Sequence, residues 1–239
     1  DESRFARLPV CSLSWHSQLR ALQRLKVSAV QRHCLLGVTD PPQAINFCSA
    51  ERIAADLVSR RGARAPGVFA DFEHDTPLNR RLLAAFDEAL YDADIPLYVP
   101  LECGRTLSHA ILTVSTAISG GSLTEYISSL QGIYSAARIA AFLQPVSQDF
   151  TLPSPTPNGV SLSAAARAAL LAQTGAQPFF SRELCAKYFT YMNADGQAHF
   201  VLYDDDSTLA AKLAQLAGCG VQNVFALFPD AAGLLKPQA

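Results

Sequence analysis

Apolar positions along this chain recur in two alternating rhythms, short β-type runs and longer stretches with helical spacing. Residues 8–13 predict a strand, residues 16–31 a helix and residues 34–38 a second strand, which is the grammar of a β-α-β unit. Ser49 is placed to cap a helix over 50–61, whose Ile53, Leu57 and Val58 share one face and which Gly62 stops. In the run 67–73, Val68, Ala70 and Phe72 point one way and Phe69, Asp71 and Glu73 the other, so one face of this strand ends in two carboxylates. A helix over 77–91, with Leu78, Leu82, Phe86 and Leu90 on one side, leads to a strand over 97–102 that also ends in an acid, Glu102.

The middle of the chain reads as a strand at 111–117, a helix at 122–134 and a buried strand at 139–143. Prolines at 145, 153, 155 and 157 mark residues 150–159 as a loop, and 162–173 predicts an Ala-rich helix. Strands at 188–192 and 199–203 flank Asn193-Ala-Asp-Gly196, a hairpin turn. Asp206 is placed to cap a helix over 207–217 that Gly218 ends, ahead of a final strand at 221–228. Repeated β-then-α units with neither G-x-G-x-x-G nor G-x-x-x-x-G-K favour a (β/α)8 barrel of the TIM type over a dinucleotide-binding sheet. The 239 residues suit one barrel domain over 1–239, complete or lacking its first strand.

Composition narrows the functions open to such a fold. With 49% hydrophobic and 17% charged residues the chain folds rather than staying disordered. Nineteen Lys and Arg against 21 Asp and Glu give a net charge of -2, which offers no footprint for nucleic acid or an anionic membrane. Membrane insertion is not expected, because the most apolar stretch, 107–118, is broken by Ser108, His109, Thr113 and Ser115. The chain opens on Asp1 rather than Met, which implies that an N-terminal piece has been removed and leaves localisation unread there. Six dispersed cysteines without a C-x-x-C pair read as small buried hydrophobes rather than a zinc ribbon.

In a barrel the chemistry gathers at the C-terminal ends of the strands, where Asp71, Glu73 and Glu102 fall. Carboxylates at i and i+2 on one strand face lie about 6–7 Å apart, close enough for one to raise the other's proton affinity; a raised Glu73 would suit a general acid. The structural alternative is that these acids cap helices or pair with Arg80, Arg81 or Arg105. Glu73-His74-Asp75 and Asp204-Asp205-Asp206 offer oxygens to a hard cation, but neighbours on a strand point to opposite faces and Asp206 reads as a cap, so no metal is expected. A serine hydrolase lacks its G-x-S-x-G, and Ser119-Gly-Gly-Ser122 reads as a turn. His109 and His199, within apolar runs, read as structural. Phe179, Phe180, Tyr188, Phe189 and Tyr191 either line a groove or pack as hairpin core.

Two blocks resemble glycoside hydrolase family 18, the chitinase-like group, and in particular its spore-cortex N-acetylglucosaminidase branch. The first is Ser49-Ala-Glu-Arg-Ile-Ala-Ala-Asp-Leu-Val-Ser-Arg-Arg-Gly62 with Pro66-Gly-Val-Phe-Ala-Asp-Phe-Glu73. Against the family pattern D-G-x-D-x-D-x-E, it keeps Gly67, Asp71 and Glu73 and carries Pro66 and Phe69 at the first two acids. The second block is Tyr188-Phe-Thr-Tyr191, Gly196-Gln-Ala-His-Phe-Val-Leu-Tyr-Asp-Asp205, Lys212 and Gly220-Val-Gln-Asn-Val224, similar to the family's hairpin, acid-ended strand and last helix and strand. Together they span about half the chain.

The resemblance implies a retaining, substrate-assisted hydrolysis of β-linked N-acetylglucosamine in peptidoglycan- or chitin-like glycans, with no metal or organic cofactor. In it Glu73 protonates the glycosidic oxygen, Asp71 orients the substrate's acetamido group, and Glu102, Gln144 and Tyr191 contact the glycan. It also implies an extracellular, cell-envelope or spore-associated place of work. Where the family carries Tyr-Asp after its sixth strand this chain reads Gln144-Pro145, and the last-strand tryptophan gives way near Leu227, the only tryptophan being Trp15. Those replacements frame the alternative, a catalytically degenerate barrel that binds a glycan or a protein partner.

Overall fold

A computed structural model of the chain describes residues 10–16, 21–24, 35–41, 49–60, 66–153 and 159–234. Its contacts gather into two compact units, Asp1–Val114 with Ala137–Ala140, and Ser115–Ala136 with Ala141–Ala239. Parts of the expected elements, namely 8–9, 17–20, 25–31, Cys34, Gly62 and 154–158, lie outside the described residues, as does Cys48.

The first unit runs β1 (Val10–His16), β2 (Ala21–Arg24), β3 (Leu35–Thr39), α1 (Ala50–Arg60), β4 (Val68–Asp71), α2 (Pro77–Asp92), β5 (Leu97–Pro100), α3 (Leu101–Gly104) and β6 (Ile111–Ser115). Its strands lie in the order β2-β1-β3-β4-β5-β6, parallel except for β2. Leu36 and Val38 of β3, Val68 to Ala70 of β4 and Leu97 to Val99 of β5 are all buried, the continuous apolar run of a parallel sheet covered on both faces. Ile53 and Leu57 of α1 and Leu82, Phe86 and Leu90 of α2 form one core cluster with Val38, Ala70, Phe72 and Val99. Gly67 leads into β4, and a Cβ there would stand 2.9 Å from the Pro96 carbonyl, so only glycine lets these chains approach.

Two expectations are corrected here. The helix over 16–31 contains β2, which pairs antiparallel with β1 from Leu13↔Arg24 to His16↔Ala21. The ladder to a strand only a few residues away outweighs the weak helical period of that segment. The strand over 97–102 stops at Pro100, and Glu102 sits in the first turn of α3. Pro100 has no N–H to extend the ladder, and the turn of helix after it buries Leu101 and Cys103.

The second unit contains α4 (Leu123–Tyr134), the end of β7 (Ile139–Phe142), β8 (Ser147–Leu152), β9 (Val160–Ser161), α5 (Ala164–Thr174), β10 (Phe179–Ser181), β11 (Ala186–Met192), β12 (Ala198–Tyr203), α6 (Asp206–Gly218), β13 (Val224–Phe225) and α7 (Phe228–Ala231). β13 runs parallel to β7 through Ala141↔Val224 and Phe142↔Phe225. β10-β11-β12-β8-β9 form an antiparallel sheet. Phe150, Ala186 and Leu202 lie in one cluster, whereas Phe189, Val201 and Tyr203 pack with Leu170 and Leu171 of α5. The hairpin turn forms as its sequence predicts, with Gly196 at a φ of +75°.

Further differences follow from local chemistry. Residues 150–152 of the expected loop continue β8, because Phe150↔Phe200 and Thr151↔His199 extend the ladder. The cap of α6 is Asp205, not Asp206: its Oδ1 accepts from the Ser207 and Thr208 N–H groups, and Thr208 Oγ1 accepts in return from the Asp205 N–H. The final strand shortens to β13, since Pro229 at the start of a turn favours the helix α7. Cys103 and Cys185 are buried, as expected of cysteines acting as small hydrophobes, while Cys219 is half-buried. The architecture is thus mixed α/β on a parallel sheet, and no helix among the described residues is long and apolar enough to cross a membrane.

Candidate active site

The register Thr39↔Asp71 brings the C-terminal ends of β3 and β4 side by side, and Asp40, the next residue of β3's chain, beside the run 72–74. Phe72, 1% exposed, anchors that run in the core edge-on to Phe86, which leaves Asp71 and Glu73 alternating outward and exposed. Asp40 clamps it from the side. Its Oδ2 accepts from the Glu73 N–H at 3.1 Å and lies 2.6 Å from His74 Nδ1. Its Oδ1 accepts at 2.7 Å from Asn79 Nδ2, which also donates to the His74 carbonyl at 2.7 Å. Asn79 is buried in the first turn of α2, whose cap Thr76 accepts its N–H. The helix start therefore holds the strand end in place.

The arginines that could have neutralised these acids are engaged elsewhere or unpaired with them. Arg80 makes a forked ion pair with Asp75, Nε to Oδ1 at 2.6 Å and an outer nitrogen to Oδ2 at 2.9 Å. Among the described residues neither Asp71 nor Glu73 takes part in a salt bridge. Partial desolvation first, and then the charges of Glu73 and Asp40, push the Asp71 carboxyl up from its ordinary value. The hydrogen bond and charge of Asp40 push the His74 imidazole up. Beneath them the Cys103 thiol donates to the Phe72 carbonyl at 3.2 Å; burial and the charges of Asp40, Asp75 and Glu102 push it up too. Glu102 thus belongs to the same acidic strand-end surface as Asp40, with its side chain exposed on α3. A carboxyl whose proton affinity is raised, beside the exposed carboxylate of Glu73, belongs to a set of acids that can exchange protons with a substrate.

The structure thus sets Asp71 and Glu73 at the C-terminal end of β4 and Glu102 in the turn of helix that follows the neighbouring β5, and adds Asp40 and Asn79, which sequence reasoning missed. Asp40 follows directly on β3, so the rule that singled out the other strand-end acids applies to it once that strand extends past Val38 to Thr39. Gln144 and Tyr191 belong to the second unit. Gln144 is exposed; its Oε1 accepts from Ser115 Oγ at 3.0 Å and its N–H donates to Thr116 Oγ1 at 3.1 Å. The Tyr191 hydroxyl donates to Asp149 Oδ2 at 2.7 Å, and its ring stacks on His199 with centroids 4.6 Å apart.

The acid triplets weighed as cation ligands are divided among separate partners. His74 goes with Asp40, Asp75 with Arg80, Asp204 with Lys212 and Asp205 with Lys187. Burial alone would raise Asp205, but donors from Lys187, Ser207 and Thr208 outweigh it and hold the carboxyl low.

No family model matches the chain, and no curated protein matches it in sequence. Solved structures do match its fold. A chitinase from Chromobacterium violaceum superposes with a TM-score of 0.58 over 97% of this chain and 100% of that one, at 15% identity. The spore cortex-lytic enzyme SleL of Bacillus cereus gives 0.52 at 15% identity, over 82% of this chain and 55% of that one. A class V chitinase variant from Nicotiana tobaccum, in complex with NAG4, gives 0.51 at 12% identity, over 94% and 87%. The fold is therefore shared with chitinases and spore cortex-lytic enzymes.

Proposed function

We propose that this chain is a glycosidase that cleaves β-linked N-acetylglucosamine in peptidoglycan- or chitin-like glycans by a retaining, substrate-assisted route. The observation that carries the reading is the Asp71–Glu73 pair, exposed at the end of β4, free of any salt bridge among the described residues and braced by Asp40 through the Glu73 main chain. Glu73 protonates the glycosidic oxygen as the bond breaks. Asp71 holds the substrate's acetamido group as its oxygen attacks the anomeric carbon, and water then opens the ring so formed, returning a proton to Glu73. Burial and the neighbouring charges of Glu73 and Asp40 raise the proton affinity of Asp71, as expected of two acids set close together on one strand end. Glu102, in the first turn of α3 just after β5, is proposed as a glycan contact, and the fold reading that accompanies the proposal is a (β/α)8 barrel. Gln144 and Tyr191 are kept as candidate glycan contacts of the second unit. The place of work proposed with it is outside the cell, in the envelope or on the spore.

Release of a chromophore from N-acetylglucosamine oligomers, together with digestion of purified peptidoglycan, tests the reading. Glu73→Gln should lower turnover by roughly 10²–10⁴-fold, the usual worth of a general acid. The degenerate, glycan-binding reading is favoured by one observation: Leu227, where the family places a sugar-stacking tryptophan, is an aliphatic side chain 57% exposed. Absence of turnover in parent and variant alike, with the same oligomers binding, would select it.

A further inference from the structure

A second cluster of ligand-type side chains lies at the opposite end of the parallel strands from Asp71 and Glu73. Asp87 and Glu88 stand near the C-terminal end of α2, and His109 precedes β6. One carboxylate oxygen from each acid and a ring nitrogen of His109 lie within 4.8 Å of one another. Beside them is a cavity of about 190 Å³, lined by Asp87, Tyr91, His109 and the first residues of β5 and β6, Leu97 and Ile111.

Asp87 is the informative member. It is 3% exposed, and its Oδ2 accepts from the Ser108 and His109 N–H groups at 2.8 and 3.1 Å. Its Oδ1 is sealed from solvent and has no hydrogen-bond partner among the described residues. A buried carboxylate oxygen without a donor is costly, and such a group in a native fold marks the place of a water or an ion. Here a second carboxylate stands beside it, which disfavours a neutral occupant. Glu88 Oε1 lies 4.0 Å from His109 Nε2. The His109 ring is stacked on Tyr91, centroids 3.7 Å apart and planes 14° off parallel, which fixes the direction of its nitrogen. Ligands at about 2.0–2.2 Å from an ion are separated by roughly 3.3–4.4 Å, so the observed spacing needs only a small closure.

We propose that Asp87, Glu88 and His109 form a site for a divalent transition-metal ion of the zinc class, apart from the hydrolytic residues. Two carboxylates and an imidazole suit zinc better than calcium or magnesium, which take oxygen ligands almost alone. The neighbouring cavity leaves room for water to complete the coordination. Binding ties the end of α2 to the segment before β6 and so supports the fold from the face away from the strand-end acids.

The test uses the full chain, stripped with a chelator and titrated calorimetrically with zinc chloride, with calcium and magnesium chloride in parallel. One equivalent of zinc should bind, with far weaker response to the other two, and should raise the Tm by about 5–10 °C at a hundredfold excess over Kd. Glu88→Gln and His109→Phe should each weaken zinc at least tenfold. Both side chains are partly exposed, 70% and 30%, and phenylalanine keeps the stack on Tyr91, so these variants fold. Glu73→Gln should bind zinc as the parent does, which separates this site from the proposed hydrolysis. Absence of stoichiometric zinc binding, equal affinity in a Glu88→Gln/His109→Phe double variant, or a preference for calcium or magnesium would each overturn the proposal.

Discussion

The backbone N–H of Glu73 donates to Asp40 Oδ2 at 3.1 Å, so the position of the proposed proton donor is set by an acid from the neighbouring strand. The same oxygen meets His74 Nδ1 at 2.6 Å, and the other oxygen holds buried Asn79. Asp40 is therefore a positioning residue, acting through the main chain on which Glu73 is carried.

Asp40→Asn keeps the size of that side chain and removes its charge. Turnover of N-acetylglucosamine oligomers should fall roughly tenfold or more, as small displacements of a catalytic group do. The readout specific to the charge is His74, whose proton affinity Asp40 raises. Followed by NMR, its midpoint should drop in the variant toward the usual ~6.5. What the pair adds to stability is complete below that ordinary value and is lost as pH rises through the higher folded midpoint. An unchanged His74 midpoint would show that Asp40 is not its cause.

Asp71 runs the other way. Its carboxyl keeps a proton in the fold to higher pH than in the unfolded chain, so stability declines as pH rises from the ordinary 3.8 through the folded midpoint. Asp71→Asn should remove this cost. Since Asp71 is exposed, screening limits the gain at pH 7 to about 0.5 kcal/mol, with parent and variant converging in acid. Denaturant melts at pH 3 and 7 check it. A gain in stability with loss of turnover would mark Asp71 as kept for chemistry; a variant that is less stable at pH 7 contradicts the assignment.

Lys212 and Asp204 show neither side chain to solvent and meet at 2.6 Å. Asp204 also accepts from the Val146 N–H and the Thr208 hydroxyl, and Lys212 donates to the Thr116 carbonyl at 3.0 Å. Lys212→Met should cost about 3–5 kcal/mol by leaving a buried carboxylate uncompensated. A double variant with Asp204→Asn should recover part of that loss, since no charge is then stranded. Urea unfolding of the three variants decides, and a double variant no more stable than the single one would contradict the account.

How much of this was legible beforehand follows from which forces are local. The alternation in 67–73 and the every-fourth-residue spacing of Leu78, Leu82, Phe86 and Leu90 placed Asp71, Glu73 and the core face of α2, because side-chain direction follows chain geometry there. Ser49 could be read as a cap from residue type alone, and it does accept the Arg52 N–H; Ser122, read as the first residue of its helix, caps it instead by accepting the Glu125 N–H. β2 could not be read, since its ladder to β1 depends on pairing between segments rather than on its own period. Asp40 stayed hidden for a related reason: its importance arises from the parallel register Thr39↔Asp71, which no spacing within either segment encodes. The meeting of Asp87 with His109, 22 residues apart and on different elements, is likewise a product of the fold.

Tyr191 offers a test in the second unit. Its hydroxyl donates to Asp149 Oδ2 at 2.7 Å while His199 Nδ1 lies 3.0 Å from Oδ1 of the same carboxylate. Partial burial first, then the hydrogen bond and charge of Asp149, push the phenol up to about 12. Ultraviolet titration should therefore show Tyr191 ionising well above the usual ~10, later than the exposed tyrosines, and Tyr191→Phe should remove its share of the late step. Because the fold holds this proton longer than the unfolded chain, the hydrogen bond's contribution fades as pH rises past 10. At neutral pH its loss should cost about 1 kcal/mol, since Asp149 retains His199 as a partner. If Tyr191 also contacts glycan, it does so with one ring face covered by His199, so affinity for N-acetylglucosamine oligomers should depend on the ring and survive Tyr191→Phe better than Tyr191→Ala. Equal affinity in parent and both variants would leave Tyr191 a structural member of the sheet.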